Sequence, residues 1–509
     1  MRSKKAIYNI IGNLVLQFVI IIYGFIVPRI IISYFGSEVN GLISSITQFL
    51  AYISLLESGF GPVLMAALYK PISRRDKKEI QSILYQSERF FKSIASIFII
   101  YIIILCILYP LLVSKSFETF YTISLIIIIS AGTFAEYFFG ITYKLYLQAE
   151  QKSYIVSIIQ IITYILSVIS VIVLAYLGAS IHLIKLISGI LFVLRPIFQN
   201  IYVKKKYNII YDENTDKNYD IKQKWDGLAQ HIASVIHSNT DITVLTIFCD
   251  ISMVSIYSVY YLVVKGIKAI LQAISNGIDA TFGNIIANGE KENLKNKFSV
   301  FELFYNSISI VAFSCAIVLI VPFVTIYTIG VTDANYIRYS FGILLVISEY
   351  IWAVRQPYNM LIKVAGHFKE TRIGAWIECV SNILISVILV KKYGLIGVAI
   401  GTIVAMLIRT IEFIYHSNKY ILGRPILESI KKIILIILET IIIVLICKYI
   451  PYLDNINYVN WIINALMTLL ISLLVVISFD FMFFKSELKS AISILKKVIK
   501  VKKKCQNIL

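Results

Sequence analysis

The sequence predicts an all-α integral membrane protein of about fourteen transmembrane helices, arranged as two pseudo-symmetric six-helix lobes followed by an additional C-terminal helix pair. Two observations set the class. The 509 residues are 58% hydrophobic and have a mean hydropathy of +0.81, whereas about half of a soluble domain is apolar. Apolar runs of about 20 residues recur along the whole chain, the length an α-helix needs to cross a hydrocarbon core of about 30 Å. Transmembrane β-strands would be shorter and would alternate. A third observation sets the arrangement: the polar stretch VKKKYNIIYDENTDKNYDIKQKWD, residues 203–226, has six apolar runs before it and eight after it.

The runs place spans at about 9–33, 41–66, 93–113, 121–143, 154–176, 181–202, 227–247, 253–275, 298–326, 339–362, 373–390, 395–416, 431–450 and 458–483. The first run, after Met1-Arg2-Ser3-Lys4-Lys5, is too long for a signal peptide and lacks a small-residue cleavage site. It is expected to remain in the mature protein. An even number of spans puts both termini on one side, and lysine and arginine decide which. Of the 48, Lys115, Arg338, Lys391, Lys392 and Lys448 fall on the opposite side, Arg29, Lys185, Lys265, Lys268 and Arg355 fall inside spans, and the other 38 lie on the side of the termini. Positive-inside bias therefore makes both termini cytoplasmic. The formal charge of +19 is spread as these short clusters between apolar runs, which points to topology and not to nucleic acid.

The predicted organisation is an N-terminal lobe at 1–202, a cytoplasmic linker at 203–226, a C-terminal lobe at 227–416, and at 417–509 two further spans with a basic tail. An internal echo supports two copies of one six-helix unit. ESGFGPVLMAALYKPISRRDKKEI follows span two and SNGIDATFGNIIANGEKENLKNKF follows span eight; LYLQAEQKSY follows span four and MLIKVAGHFKETR span ten. Aligning Gly59 with Gly277 gives an offset of 218, and Ala149 with Ala365 gives 216. Offsets that agree this closely imply copies in the same orientation, related by an axis along the membrane normal.

Three stretches carry a family resemblance. Pro28-Arg29 followed by Tyr34-Phe35-Gly36-Ser37-Glu38-Val39-Asn40-Gly41-Leu42 resembles the first loop of the polysaccharide branch of the multidrug, oligosaccharidyl-lipid and polysaccharide exporter superfamily. Leu147-Gln148-Ala149-Glu150-Gln151-Lys152 and Ala365-Gly366-His367-Phe368-Lys369-Glu370-Thr371 resemble that branch's cytoplasmic signatures after spans four and ten. The resemblance implies a Wzx-type flippase of the bacterial plasma membrane. Such a protein moves undecaprenyl-diphosphate-linked oligosaccharide from the inner to the outer leaflet for capsular or other cell-surface polysaccharide, without a cofactor. The family has no strict catalytic signature, so site residues must come from the chemistry of this chain.

A cavity for a sugar headgroup and a diphosphate should be polar and cationic. Span eight carries Ser258, Tyr261, Lys265, Lys268 and Gln272 at steps of three and four, hence on one face. Its lysines suit phosphate as point charges, or snorkel to headgroups. Span ten offers Glu349, Trp352, Gln356 and Asn359 on one stripe with Arg355 beside it. Trp352 is suited to a sugar ring, and Arg355 to Glu349 or to phosphate. Gln48 of span two and Lys185 of span six are similar candidates, while Glu57, Glu136 and Glu378 are acids available to pair with these cations. In span seven, His231, His237 and Asp241 suit proton or sodium coupling, or a structural network between helices. An arginine at mid-membrane costs about 2.5–3.5 kcal/mol on insertion scales. Arg29 is therefore read as a phosphate contact near the exit, with snorkelling as its alternative.

The tail KSELKSAISILKKVIKVKKK reads as a basic amphipathic helix drawn to anionic lipid. The six cysteines are scattered without paired spacing, and no metal motif, nucleophile and base pair, or phosphate loop emerges. The rivals are a multidrug exporter of the same superfamily, which would need an acid-rich cavity, and a membrane polymerase or glycosyltransferase, which would need a larger loop than any here.

Overall fold

A computed structural model describes residues 2–57, 59–209, 211, 228–449 and 457–490. It is all-helical, without strands among the described residues. The chain divides into two compact units: Met1–Ser258 with Gly330–Ala334, and Val259–Ile329 with Asn335–Leu509. Most of the expected linker and the tail beyond Ser490 lie outside the described residues.

The first unit opens with α1 (Arg2–Ala51), 50 residues broken only at Gly36, where φ is 87° and ψ 171°. The sequence predicts a loop here, but the helix restarts after a single residue. Its cap comes from far along the chain: Asp333 accepts the Ser37 backbone N–H at 2.6 Å and the Ser37 hydroxyl at 2.8 Å. That carboxylate satisfies a donor the new helix would leave orphaned. A Cβ at Gly36 would stand 2.8 Å from Asp333 Oδ2, and the left-handed φ disfavours any side chain.

A 3₁₀ turn, Tyr52–Glu57, leads to α2 (Phe60–Arg74), the amphipathic piece expected after span two. Asp76 caps α3 (Lys77–Val113) by accepting from Glu79 N. Then come α4 (Thr119–Ala135), a π-helical turn at Glu136–Gly140, α5 (Ile141–Ala149), α6 (Ser153–Tyr176), α7 (Ile181–Tyr207) and α8 (Leu228–Phe248). Helix α7 runs into the expected linker and ends on Lys204, Lys205 and Lys206, cations that suit the negative end of a helix dipole. Val27, Ile31 and Ile43 of α1 pack with Val171 and Ala175 of α6 and Ile181 and Ile184 of α7.

Helix α9 (Ile251–Ala287) contributes its first turns, through Ser258, to the first unit and the remainder to the second. The second unit continues with α10 (Lys291–Tyr327), α11 (Tyr339–Ala365), α12 (Arg372–Tyr393), α13 (Leu395–His416), α14 (Ile426–Lys448) and α15 (Tyr458–Phe483). The helix partners repeat between units. In the first, α6 packs on α7, α4 on α7 and α3 on α4; in the second, α12 packs on α13, α11 on α13 and α10 on α11. The α12–α13 contact is close because a Cβ at Gly401 would lie 2.8 Å from Ser386 N, the small-residue packing of membrane helices. Helix α10 also carries α14 and α15, the additional pair.

Among the described residues the expected spans coincide largely with helix; the first lies on α1, and the second begins on α1 and runs on through the 3₁₀ turn into α2. Among the described residues ten helices are long and apolar enough to cross a membrane, counting α1 with its 3₁₀ end once, joining α4 through the π-helical turn to α5, and α13 to its π-helical end. Helices α8, α11 and α14 coincide with three further expected spans but are not among those ten. The chain is a multi-pass membrane protein. Its sidedness is visible in α15, where Leu466, Leu470, Leu474 and Phe481 are exposed while Thr468, Ser472 and Val476 are buried. Large apolar side chains face out and small polar ones face the bundle, as lipid requires.

Candidate functional site

In the first unit the polar stripe of α8 is spent on α1 and its neighbours. Gln48 bonds to Asn239, and its Nε2 lies 3.4 Å from Ser238 O. Asn40 donates to Ser255 at 2.7 Å and to Ser258 at 3.4 Å. His231 Nε2 is 2.9 Å from Ser54 O. Asp241, buried, accepts from Tyr257 at 2.9 Å, and His237 sits half-buried one turn earlier on α8. These bonds join helices across long sequence separations.

The first unit's cations divide into two kinds. Arg29 is half-buried on α1, with a guanidinium nitrogen fully covered, and its backbone oxygen accepts from Ser33 at 2.8 Å. Lys185, half-buried on α7, makes no hydrogen bond or ion pair with any described residue. Arg195, counted with the charges on the side of the termini although it falls within expected span six, is inside α7: its guanidinium lies 5.2 Å from the Phe192 ring and 5.7 Å from Tyr164, with Glu136 at 4.0 Å. Glu136 sits on the π-helical turn and pairs with Lys144 at 3.2 Å. Tyr23 of α1 meets Tyr164 edge-on at 4.9 Å. The result is a cation beneath aromatic faces.

The second unit holds the corresponding station. Lys268 Nζ lies 2.6 Å from Glu349, 4.7 Å from the Trp352 ring and 5.9 Å from Tyr261. The stripes of spans eight and ten therefore meet, as their periodicity suggests, and Lys268 is held inside the unit. Lys265, one turn earlier, is exposed and makes no hydrogen bond or ion pair with a described residue.

Arg355 corrects one expectation. Its acid is Glu378 of α12 and not Glu349, which Lys268 occupies. Glu378 also lies 3.6 Å from Arg409, which holds Glu412 and donates to Thr371 O. Arg355 further stands 5.9 Å from the Phe413 ring. Gln356 is buried and accepts from Asn359 at 3.2 Å.

Sequence reasoning missed the most buried ionic network. Glu302 of α10 accepts from Arg424 at 2.9 and 3.0 Å, from Lys432 at 2.8 Å and from Tyr358. Arg424 also donates to Asn418 at 2.6 Å and Ser429 at 2.9 Å. Burial alone would weaken the charge on Arg424, which lies between α13 and α14, but Glu302 and Tyr358 hold its pKa above the ordinary arginine value. The signal was present as an acid within an apolar run, hidden by the length of that run. No group of three or more His, Cys, Asp or Glu side chains converges on a metal position among the described residues.

The fold has solved counterparts. The lipid II flippase MurJ, in an inward closed conformation, aligns with a TM-score of 0.69 at 18% identity over 94% of this chain and 99% of its own. A multidrug resistance MATE family transporter of the MOP superfamily, inward-facing, aligns with a TM-score of 0.60 at 15% identity over 79% of this chain and 97% of its own. The MATE multidrug transporter DinF-BH gives 0.56 at 13% identity over 82% and 95%. No protein-family model matches the sequence, and no curated protein does. At these identities the likeness establishes the fold shared by these transporters.

Proposed function

We propose that the chain is a non-enzymatic flippase of the polysaccharide branch, moving polyprenyl-diphosphate-linked oligosaccharide from the inner to the outer leaflet by alternating access, with both termini cytoplasmic. The observation that carries this reading is the pairing state of the span-eight face. Lys268 is neutralised by Glu349 beneath Trp352, whereas Lys265, one turn away, retains an unpaired charge. An ammonium without an acidic partner, one turn from the Lys268–Trp352 contact, suits an anionic sugar-bearing headgroup: the lysine would meet phosphate and the ring the sugar. In the second unit Gln356 and Asn359 supply polar groups on the stripe of Trp352; in the first, Lys185, Arg29 and Ser258 are candidates by themselves. His231, His237 and Asp241 remain candidates for ion coupling.

The pairing of the acids argues against export of cationic drugs through the same face. Glu349, Glu378 and Glu136 each already hold a basic partner, so an incoming cation would have to displace one. Moving a diphosphate outward also carries negative charge down an inside-negative potential, worth about 2.3 kcal/mol per charge per 100 mV. The test is reconstitution of the whole protein with a labelled polyprenyl-diphosphate oligosaccharide, a cationic dye and an uncharged glycolipid. Flipping of the first alone, faster with an inside-negative potential, is the expected result. Export of the dye with no movement of the lipid would overturn the reading.

A further inference from the structure

The second unit contains a small cavity where α10, α14 and α15 meet, lined by Asn306 and Ser307, by Lys432 and Glu439, and by Asp480. The space open to the centre of a water-sized sphere is about 10 Å³, about enough for one water or one bare ion. Two of its polar side chains are buried without a donor. Glu439 is 1% exposed and Asn306 7% exposed, and Glu439 Oε2 and Asn306 Oδ1 are fully covered yet accept no hydrogen bond from any described residue. The Ser307 hydroxyl lies 2.9 Å from both Asp480 Oδ2 and Leu303 O, between which its single proton is shared.

The local charges do not balance. Lys432 is held by Glu302 at 2.8 Å and Glu487 at 3.6 Å, and Arg424 is held by Glu302. Glu439 and Asp480 are left without a counterion, and Lys431, Lys485 and Lys489 on the flanking segments are exposed. Carboxylates inside a bundle demand neutralisation. Two orphan oxygens and a second carboxylate around a space of atomic size ask for a species that bonds several oxygens at once.

We propose that Glu439, Asp480, Asn306 and Ser307 form a binding site for a dehydrated sodium ion. All four donors are oxygens, the set preferred by hard cations, and no histidine or cysteine is present to favour a transition metal. Magnesium would keep several waters, for which the cavity has no room. A proton would neutralise only the carboxylate that carries it, whereas a bound cation faces both. The site joins the additional helix pair to α10 and lies apart from the Lys265–Lys268 face, so it stands or falls independently of the proposed substrate.

The experiment uses the purified full-length protein in detergent and radioactive sodium in equilibrium dialysis. The wild type should bind sodium saturably, one ion per chain, without displacement by N-methylglucamine. Its unfolding temperature should be higher in sodium chloride than in potassium chloride of equal ionic strength. Glu439→Gln and Asp480→Asn, which preserve shape, should each weaken binding at least tenfold and abolish the sodium-specific stabilisation. Glu118→Gln, at an exposed helix start, should bind as the wild type does. Saturable binding unchanged in Glu439→Gln and Asp480→Asn would overturn the site. So would no sodium binding by the wild type, including the case where stability responds to pH alone and the carboxylates hold a proton.

Discussion

Removing Glu302 should cost more stability than removing Arg424, although each is half of the same buried pair. Breaking a buried pair from one side costs about 3–5 kcal/mol, because the other charge is left uncompensated. Arg424→Ala leaves Glu302, 1% exposed, with Lys432 at 2.8 Å and the Tyr358 hydroxyl still donating, so the loss belongs near 3 kcal/mol. Glu302→Ala leaves Arg424 with a wholly buried side chain hydrogen-bonded only to neutral groups, Asn418, Ser429 and Tyr358, and with Glu428 as a weaker, unbonded electrostatic partner. That loss belongs near 5 kcal/mol. The assay is equilibrium unfolding in mixed micelles of mild detergent and SDS, followed by circular dichroism. The double variant Glu302→Leu with Arg424→Met should recover most of the loss, since neither charge remains to be buried alone. Arg424→Ala costing as much as Glu302→Ala, or both lying within about 0.5 kcal/mol of wild type, would refute the reasoning.

Other outcomes follow from single contacts. Gly36→Ala should destabilise by about 1–2 kcal/mol from the left-handed φ alone, and its effect should not add to that of Asp333→Ala, because both break the same helix start; thermal unfolding of the two singles and the double checks this. Lys268→Met should lower stability by about 3 kcal/mol by leaving Glu349 buried and unpaired, and adding Glu349→Gln should restore most of it, as thermal unfolding of the single and double variants would show. A fluorescent protein fused after Leu509 should fluoresce in cells and an alkaline phosphatase fused there should be inactive under the proposed cytoplasmic C-terminus, which rests on positive-inside bias; the opposite pair of readouts would reverse the topology.

The spans were legible because length and hydropathy act locally. Helix α15 shows this well, since its 26 residues leave no other reading than a crossing. What escaped depended on partners distant in sequence. The break at Gly36 was visible as a glycine among polar residues. That the helix restarts at once depends on Asp333, nearly 300 positions away, supplying the cap. Lys268 and Glu349 were each marked by helical periodicity, but periodicity gives a face and not a partner. Arg355 was therefore left between Glu349 and phosphate, with Glu378 only one of several acids available to the cations, and it pairs with Glu378. Arg195 fell within expected span six but was counted with the lysines that follow it, so its aromatic and acidic partners went unnoticed. Glu439 and Asp480 drew no notice for a related reason: single acids near or within the last two apolar runs gain meaning only once α10 brings Asn306 beside them.

The central claim is that an unpaired ammonium on the span-eight face receives the diphosphate. Its most direct test is the initial flipping rate of a polyprenyl-diphosphate oligosaccharide in vesicles carrying wild type, Lys265→Arg or Lys265→Ala at equal protein density. Loss of one charge-assisted contact is worth about 1.5–3 kcal/mol, so Lys265→Ala should flip at least tenfold more slowly while Lys265→Arg retains most of the rate and all three fold alike. Wild-type flipping by Lys265→Ala would contradict the account.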